Sequence, residues 1–328
     1  MTSAVRLYSA RLPSSATLSQ FPPIRLIFLH GILAHGGTFF SLAQRLRKSC
    51  TDALPNRCLE MVMLDLRNHG RSPHAATHTL SDVVLDLQHW LEHEGHCCVE
   101  GPQSNHTASP ILVAVGHSMG SLAWTKFLMD QQTDAGRRKR VRIDGFVSLD
   151  MPPLTGRQFP SSLQGELCDY VALMKRVDLS AITDVRSAFK EFDRCGIHNK
   201  RVQGFLSTNL QIVRPGAATN TKVAPSVSWR CNIPVLEETL LQRRIFFPEA
   251  SLNSRPHGKI SVPVLSLLGG KSPVGGSSRY RGMWSSFADT VEEHVLHDAG
   301  HNVYHDDLQG TAQLTEAFLT RLQRRHTP

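Results

Sequence analysis

Apolar residues in this chain fall into short unbroken runs separated by amphipathic stretches, and that alternation sets the architecture. Ile24-Arg-Leu-Ile-Phe-Leu29, Leu59-Glu-Met-Val-Met-Leu-Asp-Leu66, Ile111-Leu-Val-Ala-Val115, Ile143-Asp-Gly-Phe-Val-Ser-Leu-Asp150 and Val262-Pro-Val-Leu-Ser-Leu-Leu268 have the length and branching of buried strands. Residues 5–12 alternate partly, as a half-buried first strand does, and a short strand runs through Val295 and Leu296. Between them lie helical periods. Phe40, Ala43 and Leu46 share one face; Leu80, Val83, Val84, Leu87 and Leu91 share another, behind a Thr79-Leu-Ser-Asp82 capping box; Leu314, Phe318, Leu319 and Leu322 mark a terminal helix. Strands alternating with helices predict a mostly parallel, doubly wound α/β sheet.

The alternation breaks at Met151-Pro-Pro153, where two prolines stop both strand and helix. Residues 163–179 and 182–192 are amphipathic, and Trp229 and Phe246-Phe247 read as packing anchors. The expected organisation is a core of residues 1–151 and 259–328, with a helical cap of residues 152–258 inserted after a sixth strand.

Composition narrows the class. The chain has 328 residues, 41% hydrophobic and 20% charged, which fits a globular enzyme, and no apolar run reaches the roughly 18 residues that span a bilayer. Net charge is +8, with five positive charges in Gly136-Arg-Arg-Lys-Arg-Val-Arg142. No aromatics accompany that basic stretch, so residues 137–142 read as a solvated loop, not a nucleic-acid surface. Seven cysteines without a C-x-x-C motif predict reduced thiols and an intracellular, soluble protein. The first acidic residue is Asp52, a bias typical of mitochondrial presequences, with the cytoplasm as the alternative address. The 17 histidines show no metal-ligand spacing, so neither metal nor cofactor is expected.

Candidate chemistry centres on Gly116-His-Ser-Met-Gly120, a G-x-S-x-G turn between a buried strand and a helix. The bare pentapeptide arises by chance in about one chain in ten of this length, so its partners decide the matter. Ser118 is the candidate nucleophile. His301, in the small-residue turn Ala299-Gly-His301 before the terminal helix, is the candidate base. The loop after residues 262–268 reads Gly269-Gly-Lys-Ser272 and holds no carboxylate. The acid therefore falls to Asp150 at the end of the preceding strand, with Asp298 disfavoured because three residues are too short a turn. The N–H groups of Ile32 and Met119 are the expected oxyanion donors. Ser272, His30, Gly31 and His117 are assigned auxiliary places around them.

These segments resemble a known group. Leu29-His-Gly-Ile32, Asp65-x-Arg-Asn-His-Gly-x-Ser-Pro-His74, Gly116-His-Ser-Met-Gly120, Leu149-Asp-Met-Pro152 and Leu267-Leu-Gly-Gly-Lys-Ser272 are similar to the serine-esterase branch of the α/β-hydrolase superfamily. That branch includes alpha/beta-hydrolase domain-containing protein 11 and bacterial esterases. Tyr170-Val-Ala-Leu-Met174, Leu206-Ser-Thr-Asn-Leu210 and Trp229-Arg-Cys-Asn232 extend the likeness into the insertion. It lapses at residues 50–57, 95–109, 134–140 and 215–225. The resemblance implies an α/β-hydrolase fold, hydrolysis of small acyl esters or thioesters, an acid at Asp150 beside a serine at 272, and often a mitochondrial address. Ser121 and the Asn302-Val-Tyr304 stretch depart from the group's pattern and are expected to bear on acyl-pocket shape. Two readings compete with an esterase: a C–C bond or aminopeptidase-type hydrolase on the same fold, and a non-catalytic scaffold that holds a protein partner.

Overall fold

The apolar runs assemble into one seven-stranded sheet. The computed structural model describes residues 3–12, 23–54, 58–95, 110–132, 141–213, 225–249 and 258–325. In chain order the strands are β1 (Tyr8–Leu12), β2 (Ile24–Leu29), β3 (Leu59–Asp65), β4 (Ile111–His117), β5 (Gly145–Leu149), β6 (Leu210–Val213), β7 (Ser226–Trp229), β8 (Val264–Gly269) and β9 (Val291–Leu296). The large sheet runs β1-β3-β2-β4-β5-β8-β9, antiparallel only at β1. Strands β2, β3, β4, β5 and β8 are buried along their whole length because helices cover both faces, whereas β1 and most of β9 are half-buried edges.

On one face α1 (Phe40–Ala53) packs against α9 (Leu308–Arg324), which follows a short α8 (Val303–Asp306). On the other face α2 (Leu80–Trp90) packs against α3 (Met119–Asp130). Helix α2 begins where the capping box places it: Thr79 Oγ1 accepts the Asp82 N–H at 3.1 Å, and Asp82 accepts the Thr79 N–H at 3.0 Å. Such a cap stabilises a helix by about 1 kcal/mol. The first helix differs by one residue from its expected face. Phe39 is fully buried and Phe40 is 45% exposed, because a 3₁₀ turn over Gly36–Phe39 precedes α1 and shifts the phase.

The insertion leaves after β5, the fifth strand, not after a sixth. It contains α4 (Ser161–Arg176), α5 (Val185–Arg194), α6 (Lys200–Ser207), the β6–β7 pair and α7 (Ile233–Leu241). A purely helical insertion was expected; β6 and β7 instead form a separate antiparallel ribbon. Helix α4 stops at Arg176 and α5 starts at Val185, since Asp184 caps the latter by accepting the Ser187 N–H at 2.8 Å. Trp229 stacks on Phe192 with centroids 6.3 Å apart, and Phe246 packs at a tilt against Phe159 at 4.5 Å. The insertion's apolar residues join the cluster that lies under α2 and α3, so the two share a core. Among the described residues no helix is long and apolar enough to cross a membrane. The basic stretch 137–140 lies outside the described residues; Arg142 pairs with Asp144 at 2.6 Å. Of the cysteines, 97 and 98 also lie outside, and Cys50, Cys58, Cys168, Cys195 and Cys231 are not in disulfides.

Strand register places the site. Leu29 pairs with Gly116, His117 with Leu149, and Leu149 with Leu267. The carboxyl ends of β2, β4, β5 and β8 are therefore level. Whatever follows each strand comes out in a single row.

Candidate active site

Ser118 occupies the turn between β4 and α3 with φ 51° and ψ −119°, a left-handed conformation costing about 1–3 kcal/mol. The flanking glycines make the turn possible. A Cβ at Gly120 would lie 2.1 Å from the Leu29 carbonyl oxygen, and one at Gly116 would lie 2.6 Å from the Ser121 nitrogen. The Ser118 N–H donates to Leu149 O at 3.2 Å, which ties the elbow to the strand end that precedes Asp150. Ser121, where the elbow departs from the group's pattern, belongs to the core. It is fully buried, and its hydroxyl donates to the Gly116 carbonyl at 2.5 Å, clamping the elbow from within.

Asp150 also has positive φ, 50°, and is completely buried. Its Oδ1 accepts the Gly269 N–H at 2.8 Å. Its Oδ2 accepts both the Ser272 hydroxyl and the His301 Nδ1–H, the latter at 2.7 Å. Ser272 is itself fixed, since its oxygen accepts the Val274 N–H at 3.1 Å. The turn carrying His301 approaches β8 closely: a Cβ at Gly269 would lie 2.1 Å from the Gly300 carbonyl oxygen. Asp298 points elsewhere and pairs with Lys271 at 2.8 Å on the surface, its carboxyl held below the usual range by that ammonium.

The turn after β2 is built by buried imidazoles. The Leu66 N–H donates to His30 Nε2 at 3.0 Å, so the proton sits on Nδ1 and donates to Gly31 O at 2.7 Å. That carbonyl belongs to the same peptide plane as the Ile32 N–H, so His30 sets the direction in which Ile32 donates. His69 repeats the arrangement: the Leu33 N–H donates to its Nε2 at 3.1 Å while its Nδ1–H donates to Arg67 O at 2.9 Å. His117 turns its Nε2–H to the carbonyl of His301 at 2.9 Å, and the two rings lie 4.7 Å apart. A Cβ at Gly31 would meet His117 Nδ1 at 2.9 Å and Ser118 Cβ at 3.1 Å, so only glycine lets the turn lie against the elbow. His78 Nε2 is 3.1 Å from the Met119 sulfur. Burial pushes His30 down to about 3 and holds His69, His78 and His117 well below the ordinary imidazole range, with neighbouring imidazoles adding to the effect.

Tyr304 is buried against this layer. Its ring is 4.7 Å from Phe39 and 5.0 Å from His117, and burial pushes its hydroxyl up to about 12. Four of the five non-glycine residues with positive φ among those described, Leu33, Asn68, Ser118 and Asp150, follow carboxyl ends of sheet strands; Arg243 is the fifth. Backbone strain of this kind clusters at active sites and ligand clamps, which makes the row the candidate site.

Several residues here carried no assigned role in the sequence reading. Asp65 accepts the Gly36 N–H at 2.7 Å and the Arg71 N–H at 2.8 Å, which fixes the loop bearing His69. Arg67 forks onto Asp86 at 2.5 and 2.6 Å in the interior. Asn209, from the insertion, donates to Leu33 O at 2.7 Å. Their only signal was the Asp65–His74 and Leu206–Leu210 segments of the resemblance. Among the described residues no group of three or more histidines, cysteines, aspartates or glutamates is placed to hold a metal ion.

The arrangement has relatives. The sn-1-specific diacylglycerol lipase ABHD11 of Mus musculus is 27% identical over 298 residues, covering 90% of this chain and 80% of that protein. The same lipase of Xenopus tropicalis is 27% identical over 307 residues, covering 90% and 78%. Among solved structures, a marine microorganism esterase superposes with a TM-score of 0.70 at 18% identity, covering 96% of this chain and all of that one. A model of the alpha/beta hydrolase family matches residues 26–314, nearly the whole of the sheet and its insertion. With a strained serine turn, level strand ends and that match together, the chain belongs to the alpha/beta hydrolase family.

Proposed function

We propose that the chain hydrolyses acyl esters or thioesters through an acyl-serine intermediate, with Ser118 as nucleophile, His301 as base and Asp150 as acid. One observation carries the reading: a serine held at φ 51° ends β4 beside β5, the strand that leads into Asp150, and the buried Asp150 carboxylate lies 2.7 Å from Nδ1 of His301. Because Asp150 engages Nδ1, the proton acceptor of His301 is Nε2, the nitrogen suited to a serine hydroxyl. Ser118 Oγ attacks the carbonyl carbon as His301 takes its proton. The charge that develops on the carbonyl oxygen is held by the N–H groups of Ile32 and Met119, each worth on the order of 10²–10³ in rate. On collapse the C–O or C–S bond breaks, and His301 returns the proton to the departing alcohol or thiol. Water then enters by the same route in reverse order and releases the acid.

Residues 152–258 act as a cap over this row and set acyl selectivity. In support, the insertion is fastened at the row's edge: Asn232 donates to Asn68 Oδ1 at 3.0 Å, and the Leu80 N–H donates to Arg244 O at 2.9 Å. The lipase names of the relatives extend the candidate substrates to glycerolipid esters. The test is turnover of a chain-length series of aryl esters, acyl thioesters and diacylglycerols by the purified protein and by Ser118→Ala. The reading requires ester hydrolysis that Ser118→Ala abolishes. Cleavage of aminoacyl amides alone, or activity that survives Ser118→Ala, contradicts it.

A further inference from the structure

Leu33 is the strained residue of the turn that presents Ile32, with φ 59°, and its side chain is fully buried. Leucine adopts that conformation only where its surroundings hold it there. Side chains from two parts of the chain do so. His69 takes its N–H at 3.1 Å, and Asn209 supplies a donor to its carbonyl at 2.7 Å. His69 belongs to the core, but Asn209 sits between α6 and β6 in the insertion. Asn209 is completely buried, and both ends of its side-chain amide are bonded. A carbonyl can only accept, so its NH₂ faces Leu33, and its Oδ1 accepts the Cys231 thiol at 2.9 Å. Its own carbonyl accepts the Arg230 N–H at 2.7 Å. The amide therefore has one orientation, set from within the insertion.

We propose that Asn209 is a positioning residue for the oxyanion site: the insertion, by holding the Leu33 carbonyl, keeps the Gly31–Leu33 turn in its donating geometry. The proposal rests on the hydrolase reading above and deepens it, because it makes the cap part of the catalytic machinery as well as a wall of the pocket. The turn is then clamped at three points. His30 holds Gly31 O, His69 holds Leu33 N–H, and Asn209 holds Leu33 O. Without Asn209, a buried carbonyl is left unsatisfied beside a residue whose backbone favours another conformation. Leu33 relaxes, and the Ile32 N–H swings off the position where the oxyanion forms. A shift of about 1 Å in such a donor costs on the order of 10²-fold in rate.

The experiment replaces Asn209 by leucine, which keeps the volume and removes the donor, and by aspartate, whose protonated form still donates. Tyr280→Phe is the control, because the Tyr280 hydroxyl ties the core to Gln158 of the insertion at 2.6 Å, away from the oxyanion turn. The readouts are kcat and KM for an aryl ester, and the inhibition constant of a trifluoromethyl ketone, which forms a tetrahedral oxyanion adduct with the serine. For Asn209→Leu, kcat and ketone affinity fall together by about 10- to 100-fold while KM moves less than about 3-fold. For Asn209→Asp, activity relative to the unmodified protein is close to normal at acid pH and falls toward the leucine variant as pH rises and the carboxyl loses its proton. Tyr280→Phe leaves ketone affinity unchanged. Asn209→Leu with unaltered kcat and ketone affinity, or with a loss confined to KM, overturns the role of Asn209 alone. If Asn209→Leu does not fold, an Asn209→Asp variant with no pH-dependent loss overturns it. An unmodified protein that turns over no ester and binds no ketone removes the hydrolase reading itself.

Discussion

Replacing Asp150 by asparagine separates its role from that of Ser272, and the hydrogen bonds around it fix the expected size of each effect. Asp150 accepts three donors: the Gly269 N–H on Oδ1, and the Ser272 hydroxyl and His301 Nδ1–H on Oδ2. An asparagine has one acceptor oxygen to offer. The Gly269 N–H is backbone and cannot turn away, so the amide oxygen goes to it and the NH₂ takes the place of Oδ2. That NH₂ donates to His301 Nδ1, which forces the proton onto Nε2, the nitrogen that must accept from Ser118. The imidazole is in place but in the wrong tautomer, and turnover falls by on the order of 10⁴, as in serine proteases with the same change. Ser272→Ala removes one of two donors on Oδ2 and leaves the His301 bond intact. The loss is that of a hydrogen bond to a charged group, about 1.5–3 kcal/mol at most, or roughly 10- to 150-fold. The assay is kcat at pH 8 on an aryl ester, with circular dichroism to confirm folding. An Asp150→Asn variant less impaired than Ser272→Ala refutes the reasoning.

Two further outcomes follow from the same geometry. His30, His69, His78 and His117 are buried with pKa values below the unfolded 6.5, so above that pH both states are neutral and stability is complete. As pH falls below 6.5 only the unfolded chain takes up protons, and stability drops until the folded values are reached. Between pH 7.5 and 5.5 this amounts to about 1.4 kcal/mol per histidine, on the order of 5 kcal/mol for the four. Urea unfolding at the two pH values checks it, and equal stability at both contradicts it. Gly120→Ala places a methyl group 2.1 Å from the Leu29 carbonyl, so it yields no folded, active protein; an active Gly120→Ala enzyme contradicts the packing of α3 on β2.

Much of this was legible in the sequence because it is local. Unbroken apolar runs such as residues 111–115 could only be covered strands, and the capping box at Thr79 and Asp82 forms as its spacing requires. Asp150 emerged by exclusion, from a following strand end with no carboxylate, and the structure sets it 2.7 Å from the His301 ring. Long-range pairing was not legible. Leu210-Gln-Ile-Val213 is too short for its period to register, so the β6–β7 ribbon was missed. The tautomers of His30 and His69 depend on the N–H groups of Leu66 and Leu33, each 36 residues distant, and no pattern along the chain encodes that. Ser121 and Tyr304 were expected to bear on acyl-pocket shape; both are buried, Ser121 against the elbow's own carbonyl and Tyr304 against the rings of Phe39 and His117. Asn209 shows the same limit: its partner is 176 residues away.

The central claim is that Ser118 is an activated nucleophile. Intact-mass analysis after treatment with a fluorophosphonate tests it most directly. The account predicts one adduct per chain, mapped to Ser118 by peptide sequencing, absent in Ser118→Ala and much slower to form in Asp150→Asn. An adduct on another residue, or none on protein that is hydrolysing ester, would contradict it.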